Sequence, residues 1–374
     1  MKHLYGLVGA CLSAALLAAC GGSNSFSSST PMSVAPQIAG PRSGITRSML
    51  HRPTSRANLY VANYTGNGGL GDTVNVYASG GTKLTRTISD GISDPYAPTF
   101  DSSGNLYIAN STANTVTVYA PGGSSPMRTI SQRVIVPLVL AFDSSGNLYV
   151  ADSQTSKQGY GRTVTVYAPG SGSVLRTIKK GVCYPTALAL DGTGNLYVAD
   201  GVDAPPKCKS TSGNIGTTVT VYAASGTKLL RKIKTGVHGP EALAFDGSRN
   251  LYVANYIAST VTVYAPGSKN VLRTISEGVH GPEALAFDDS GNLYVGNETS
   301  PYNVTVYPPG GSSPSRTISQ GVNWPDALTF DSSGNLYVAN FIAGTVTVYA
   351  PGSKKVLRTI SKGLVSPQGL AFGP

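Results

Sequence analysis

Residues 325–360 read PDALTFDSSGNLYVANFIAGTVTVYAPGSKKVLRTI, and this unit decides the fold. It holds four short runs that are rich in β-branched, aromatic and small apolar residues, at 327–330, 336–339, 345–349 and 357–360. Asp-Ser-Ser-Gly-Asn and Ala-Pro-Gly stand between runs, and their Gly, Asn and Pro favour tight turns. The unit therefore predicts four strands joined by hairpin turns.

The same unit recurs along the chain. Its Asn-Leu-Tyr tripeptide begins at residues 58, 105, 147, 195, 250, 292 and 335. Four strands in about 40–45 residues are typical of a β-propeller blade. The first copy lacks the Pro-x-x-Leu-Ala-Phe strand, and residues 367–372 (PQGLAF) supply one with nothing after it. We therefore expect 368–372 to pair with the strands of 58–89 and close the ring.

The expected fold class is all-β: a seven-bladed β-propeller of four-stranded antiparallel blades over residues 57–374. Six blades with a stray repeat is the alternative. Runs such as 325–340 resemble NHL-repeat and YVTN-type propellers. That resemblance implies the fold but not one function, because such propellers serve binding, scaffolding and several enzymatic uses. Streptogramin-lyase-like propellers share the number of blades.

The first 20 residues are typical of an export signal. Lys2 precedes an apolar stretch that ends in Leu-Ala-Ala-Cys at 17–20 and resembles a bacterial lipobox. The resemblance implies an exported lipoprotein that is lipidated at Cys20 and, since Gly21 follows, held at the outer membrane. An ordinary cleaved signal peptide is the alternative. Residues 21–56, rich in Ser, Gly and Pro, predict a flexible tether.

The formal net charge is +10, yet the cations are spread over the repeats. This dispersion favours a solubilising charge over a nucleic-acid interface. One Arg recurs in the fourth strand, where we expect it to protect the outer sheet edge, with a surface for anionic partners as the alternative. These residues are Arg86, Arg128, Arg176, Arg231, Arg273, Arg316 and Arg358.

The candidate site lies where each first strand begins. The residue after its Pro is expected at the mouth of the central channel, and around the ring these residues are Tyr96, Leu138, Thr186, Glu241, Glu283, Asp326 and Gln368. His238 and His280 precede the two Glu by three residues, and Trp324 precedes Pro325. Such a cluster could bind a cation, an amine or a sugar, or perform acid–base chemistry. Duplicated side chains in solvated loops are the alternative.

Cys183 and Cys208 fall in loops that open on one face of the fourth blade. An exported protein meets an oxidising compartment, so we predict a disulfide between them. The second-to-third-strand loops on this face differ most in length, at 63–72, 152–162 and 200–217. Variable loops on a repeated scaffold are where recognition usually occurs.

These observations favour a binding module over an enzyme. We expect the variable-loop face to bind a small molecule, a glycan or a protein, with His238, Glu241, His280, Glu283, Trp324 and Asp326 at the ligand. One alternative is a hydrolase or lyase of the lactonase or streptogramin-lyase-like kind at the same acidic mouth. The other is a structural envelope protein. No catalytic residue, metal, cofactor or nucleic acid is assigned, the lipid is the expected membrane contact, and a monomer is expected.

Overall fold

The computed structural model describes residues 57–65, 72–153, 162–201, 216–224 and 226–374. Their regular elements are 28 β-strands in seven antiparallel sheets of four strands each. No helix in these ranges is long and apolar enough to cross a membrane. The all-β prediction is confirmed, and each sheet is called a blade below.

The strands fall into four positions from the centre outwards. The first strands are β4 (Pro95–Phe100), β8 (Pro137–Phe142), β12 (Pro185–Leu190), β16 (Pro240–Phe245), β20 (Pro282–Phe287), β24 (Pro325–Phe330) and β28 (Ser366–Gly373). The second strands are β1 (Asn58–Tyr64), β5 (Leu106–Asn110), β9 (Leu148–Asp152), β13 (Leu196–Asp200), β17 (Leu251–Asn255), β21 (Leu293–Asn297) and β25 (Leu336–Asn340).

The two outer positions follow the same repeat. The third strands are β2 (Thr73–Tyr77), β6 (Thr115–Tyr119), β10 (Thr163–Tyr167), β14 (Thr218–Tyr222), β18 (Thr260–Tyr264), β22 (Asn303–Tyr307) and β26 (Thr345–Tyr349). The fourth strands are β3 (Leu84–Ile88), β7 (Arg128–Ile130), β11 (Val174–Ile178), β15 (Leu229–Ile233), β19 (Val271–Ile275), β23 (Arg316–Ile318) and β27 (Val356–Ile360). Blades are numbered 1 to 7 in chain order, and blade 1 contains β28 with β1, β2 and β3.

The C-terminal strand completes blade 1. Strand β28 pairs antiparallel with β1, so that Val61 faces Leu370 and Leu59 faces Phe372. Each first strand also contacts the first strands of both neighbouring blades, including β28 against β4 and β24. Ring closure and the seven blades are therefore confirmed, and the first strands surround a central channel.

Aromatic pairs join neighbouring blades. The Tyr of one second strand packs edge-on against the Phe of the next first strand, as in Tyr252 and Phe287, whose ring centroids are 5.0 Å apart. Five further pairs have this geometry: Tyr60–Phe100, Tyr107–Phe142, Tyr197–Phe245, Tyr294–Phe330 and Tyr337–Phe372. The repeat thus encodes the contact between blades as well as the blade itself.

The recurring Arg of the fourth strand, predicted to protect the outer sheet edge, also makes hydrogen bonds within and between blades. Nη2 of Arg358 donates to the Tyr337 hydroxyl at 2.7 Å, and this hydroxyl donates to Asp331 at 3.3 Å. Nη1 of Arg273 donates to the carbonyl of Gly310 on the next blade at 2.8 Å. The half-buried Arg thus links strands and neighbouring blades while it lies on the outermost strand.

Candidate functional site

In six of the seven blades, a β-bulge leaves the residue after the first-strand Pro without a partner residue on the second strand. In blade 5, Pro240 faces Asn255 and Ala242 faces Ala254, so Glu241 has no residue opposite it. The same shift leaves Leu138, Thr186, Glu283, Asp326 and Gln368 unpaired, whereas in blade 2 it falls after Tyr96. Bulges redirect side chains and are common beside functional sites.

The three acids at these bulges are buried. Relative exposure is 3% for Glu241, 1% for Glu283 and 0% for Asp326. The solvated-loop alternative is therefore wrong for these side chains. In blade 4, a Cβ on Gly201 would lie 2.7 Å from Oε1 of Glu241, so this glycine leaves room for the carboxyl group. Burial of three carboxyl groups in one ring of strands is unfavourable in free energy unless hydrogen bonds, opposite charges or protonation compensate for the lost hydration.

A fourth acid, Glu298, joins them, and the sequence analysis missed it. It follows Asn297 at the end of β21 and is 1% exposed. Its backbone N–H donates to the carbonyl of Gly281 at 2.9 Å, which holds it beside the loop that leads to Glu283. Alignment of the repeats could have identified it, because the equivalent residues of blades 5 and 7 are the aromatic Tyr256 and Phe341, whereas blade 6 has an acid.

The acids act on one another electrostatically. Burial raises the pKa of Glu283 well above its ordinary value, and charge on Glu298, Glu241 and Asp326 raises it further. Burial also raises the pKa of Asp326 strongly, with Glu298 as the second cause. The pKa of Tyr96 is raised by burial, then by Asp94 and Asp326. Asp326 thus raises the pKa of Glu283 on blade 6 and the pKa of Tyr96 on blade 2.

Several acceptor atoms of the cluster lack donors. Within the described residues, neither Oδ1 nor Oδ2 of Asp326 accepts a hydrogen bond, and neither does Oε1 of Glu283. The amide Oε1 of Gln368 also accepts no hydrogen bond within the described residues. Gln368 lies on the neighbouring blade and is 2% exposed. Buried acceptors without donors are rare and unfavourable, so the site favours a ligand that brings donors or positive charge.

The described side chains do not form a metal site. Among them, no three His, Cys, Asp or Glu residues are placed to hold one metal ion. His238 and His280 are half-buried, and their backbone N–H groups donate to Asn255 and Asn297 at 3.0 and 2.9 Å. Their backbone therefore has a turn-forming role.

Trp324, which directly precedes the first strand of blade 7, belongs to a row of three aromatic side chains. Its ring centroid lies 6.2 Å from that of Tyr302 and 6.4 Å from that of Phe341, and all three are half-buried. Its backbone φ is 60°, which is unfavourable for a bulky residue, whereas blades 5 and 6 have Gly239 and Gly281 there. Asp94 and Val136 have positive φ at the same position in blades 2 and 3, so this backbone conformation belongs to the repeat.

The cysteines predicted to carry lipid or form a disulfide fall mostly outside the described residues. Cys20 and Cys208 lie outside the described residues, as do most of the three long loops. Cys183 lies in the loop before β12, and its N–H donates to Oδ1 of Asp200 at 2.8 Å. Lipidation and the disulfide stay predictions.

Fold and site together define the class of protein: a β-propeller with a buried acidic cluster at its channel mouth. A family model described as strictosidine synthase-like, N-terminal, matches residues 271–299, which include Glu283 and Glu298. The fold is similar to that of a candidate 6-phosphogluconolactonase from Bacteroides fragilis NCTC 9343. That match has a TM-score of 0.65 and 16% identity, and covers 86% of this chain and 99% of the other. A search of curated proteins finds no match.

Proposed function

We propose that this propeller is a binding module whose channel mouth binds a small organic cation. The observation that carries the proposal is the state of Asp326, which is 0% exposed and has two carboxyl oxygens without donors among the described residues. A cation supplies the missing charge, and its N–H groups supply the missing donors. The aromatic row of Tyr302, Trp324 and Phe341 adds ring faces that attract cations.

Titration calorimetry with methylammonium and methylguanidinium chloride tests this proposal. Asp326→Asn and Glu283→Gln should each weaken binding by about tenfold or more, because each removes a charge-assisted hydrogen bond. Asp289→Asn is the matched control, since Asp289 is exposed in the turn between β20 and β21, at the far end of the blade. The proposal is abandoned if neither ion binds the unaltered protein.

Hydrolysis of a lactone is the second candidate function. The lactonase title of the structural neighbour suggests it, and a buried carboxyl of raised pKa, Glu283, could act as its general acid. The acidic mouth would repel a phosphorylated substrate, so this function predicts turnover of neutral lactones. Assays of a neutral lactone and of 6-phosphogluconolactone, with Glu283→Gln beside them, decide whether it holds.

We also propose the finer assignments that the sequence suggested. The chain is an NHL- or YVTN-type propeller, anchored in the cell envelope through lipid on Cys20, with a Cys183–Cys208 disulfide in blade 4. Metabolic labelling with a fatty acid should mark the protein and fail to mark Cys20→Ser. Peptide mapping without reduction should recover 183 and 208 in one linked fragment.

A further inference from the structure

Among the described residues, three bulge positions on consecutive blades carry side-chain acceptors without donors. These acceptors are Oε1 of Glu283 on blade 6, both carboxyl oxygens of Asp326 on blade 7, and Oε1 of Gln368 on blade 1. Each residue occupies the same bulge position of its first strand, and β24 contacts both β20 and β28. The three residues therefore occupy equivalent positions on adjacent first strands of the ring.

The number and placement of these acceptors distinguish between cations. An alkylammonium carries three N–H donors that diverge, whereas a guanidinium carries up to five in one plane. A guanidinium also gives two parallel N–H groups to one carboxylate, which suits Asp326, whose two oxygens both lack donors among the described residues. Its remaining N–H groups then point sideways, towards the neighbouring acceptors of Glu283 and Gln368.

Desolvation favours the same ion. Glu283, Asp326 and Gln368 are at most 2% exposed, so the side chains around them must move apart to admit a cation, which then loses most of its water. Guanidinium is more weakly hydrated than ammonium, and its flat face stacks on aromatic rings. Trp324 carries such a ring and is separated from Asp326 in the chain only by Pro325.

We infer that the cation bound at the channel mouth is the guanidinium group of a small guanidino compound, which donates hydrogen bonds to Asp326, Glu283 and Gln368. This inference rests on the proposed function, since it names the class of cation that the acidic mouth selects. It adds Gln368 to the site, a neutral residue whose amide oxygen distinguishes a flat, donor-rich ion from a compact one.

The experiment compares two ions of equal charge that each carry one methyl group. Full-length protein is titrated with methylguanidinium and with methylammonium at pH 7.5, and methylguanidinium is expected to bind about tenfold more tightly because of its paired hydrogen bonds. Equal or weaker binding of methylguanidinium overturns the inference while leaving cation binding intact. Binding of neither ion overturns both.

Gln368→Leu tests the third acceptor directly. The variant should bind methylguanidinium severalfold more weakly and methylammonium with nearly unchanged affinity, so that the ratio of the two affinities falls. An unchanged ratio shows that Gln368 does not contact the ligand and contradicts its assigned role. Asp289→Asn again serves as control, and the comparison on unaltered protein stands even if a variant folds poorly.

Discussion

The carboxyl of Asp152 accepts a hydrogen bond from the backbone N–H of Ile135 at 2.9 Å, tying the end of β9 to the loop before β8. Asn255 makes the same bond to His238 in blade 5, and its Nδ2 also donates to Thr262 at 3.0 Å. An Asp cannot donate that second bond when ionised. Asp152 is fully buried, and burial raises its pKa well above the ordinary value.

Asp152→Asn should therefore stabilise the protein. The folded-state pKa of Asp152 is raised, so the folded state holds its proton more tightly and loses stability as pH rises above the unfolded pKa of about 4. The variant removes that loss, and its gain in free energy of unfolding, about 1 kcal/mol or more, should grow from pH 4 to pH 8. Thermal melts across this range measure it.

The reverse change is the internal control. Asn255→Asp in blade 5 introduces a buried carboxyl at the equivalent position, 0% exposed, and should lower the melting temperature more at pH 8 than at pH 4. If both variants melt like the unaltered protein at every pH, burial of Asp152 has no energetic consequence and the interpretation is wrong.

The repeats made the fold predictable from sequence. Alternation of strand and turn residues predicted each blade, and the missing strand before Asn58 predicted its pairing with residues 368–372. The hydrogen bond from Arg358 to the Tyr337 hydroxyl was not predictable in this way. Tyr337 lies on another strand, and a pattern along the chain does not show which side chains on different strands meet.

Ring closure should dominate stability. Phe372 of β28 packs edge-on against Tyr337 of blade 7 with ring centroids 5.0 Å apart. Phe372→Ala removes this contact and should cost about 2–4 kcal/mol, towards the lower end of measured Phe→Ala changes because Phe372 is partly exposed. Urea unfolding measures the loss. A change below about 0.5 kcal/mol would mean that closure depends on backbone pairing alone.

The Tyr–Arg contact has a separate energetic role. Tyr337→Phe removes the hydroxyl that accepts from Arg358 and donates to Asp331, while keeping the ring that packs on Phe372. The expected loss in free energy of unfolding is about 1–3 kcal/mol, because Arg358 loses a buried partner. Comparison with Phe372→Ala in the same urea series separates the hydroxyl from the ring.

The site was only partly predictable. Position after the first-strand Pro identified Glu241, Glu283 and Asp326, but their burial depends on bulges that follow from pairing between strands. Glu298 comes from another loop and reaches the cluster because its N–H bonds to Gly281. Gln368 joins the site only because ring closure brings the C-terminal strand β28 beside β24.

The buried acidic cluster should make the protein sensitive to pH. Raised pKa values of Glu283 and Asp326 mean that the folded state binds their protons more tightly, so stability falls as pH rises above about 4. Asp326→Asn should be more stable than the unaltered protein at pH 8 and nearly equal to it at pH 4. Asp289→Asn, on the exposed turn, should leave the profile of melting temperature against pH unchanged.

Binding of a cation should release protons from the same carboxyls. A cation favours the ionised forms of Glu283 and Asp326 and so lowers their raised pKa values when it binds. Affinity should therefore increase with pH until both groups are ionised in the free protein. Calorimetry at one pH in two buffers of different ionisation enthalpy measures the proton count. Asp326→Asn should release fewer protons, whereas a heat independent of the buffer would show that the cluster does not meet the ligand.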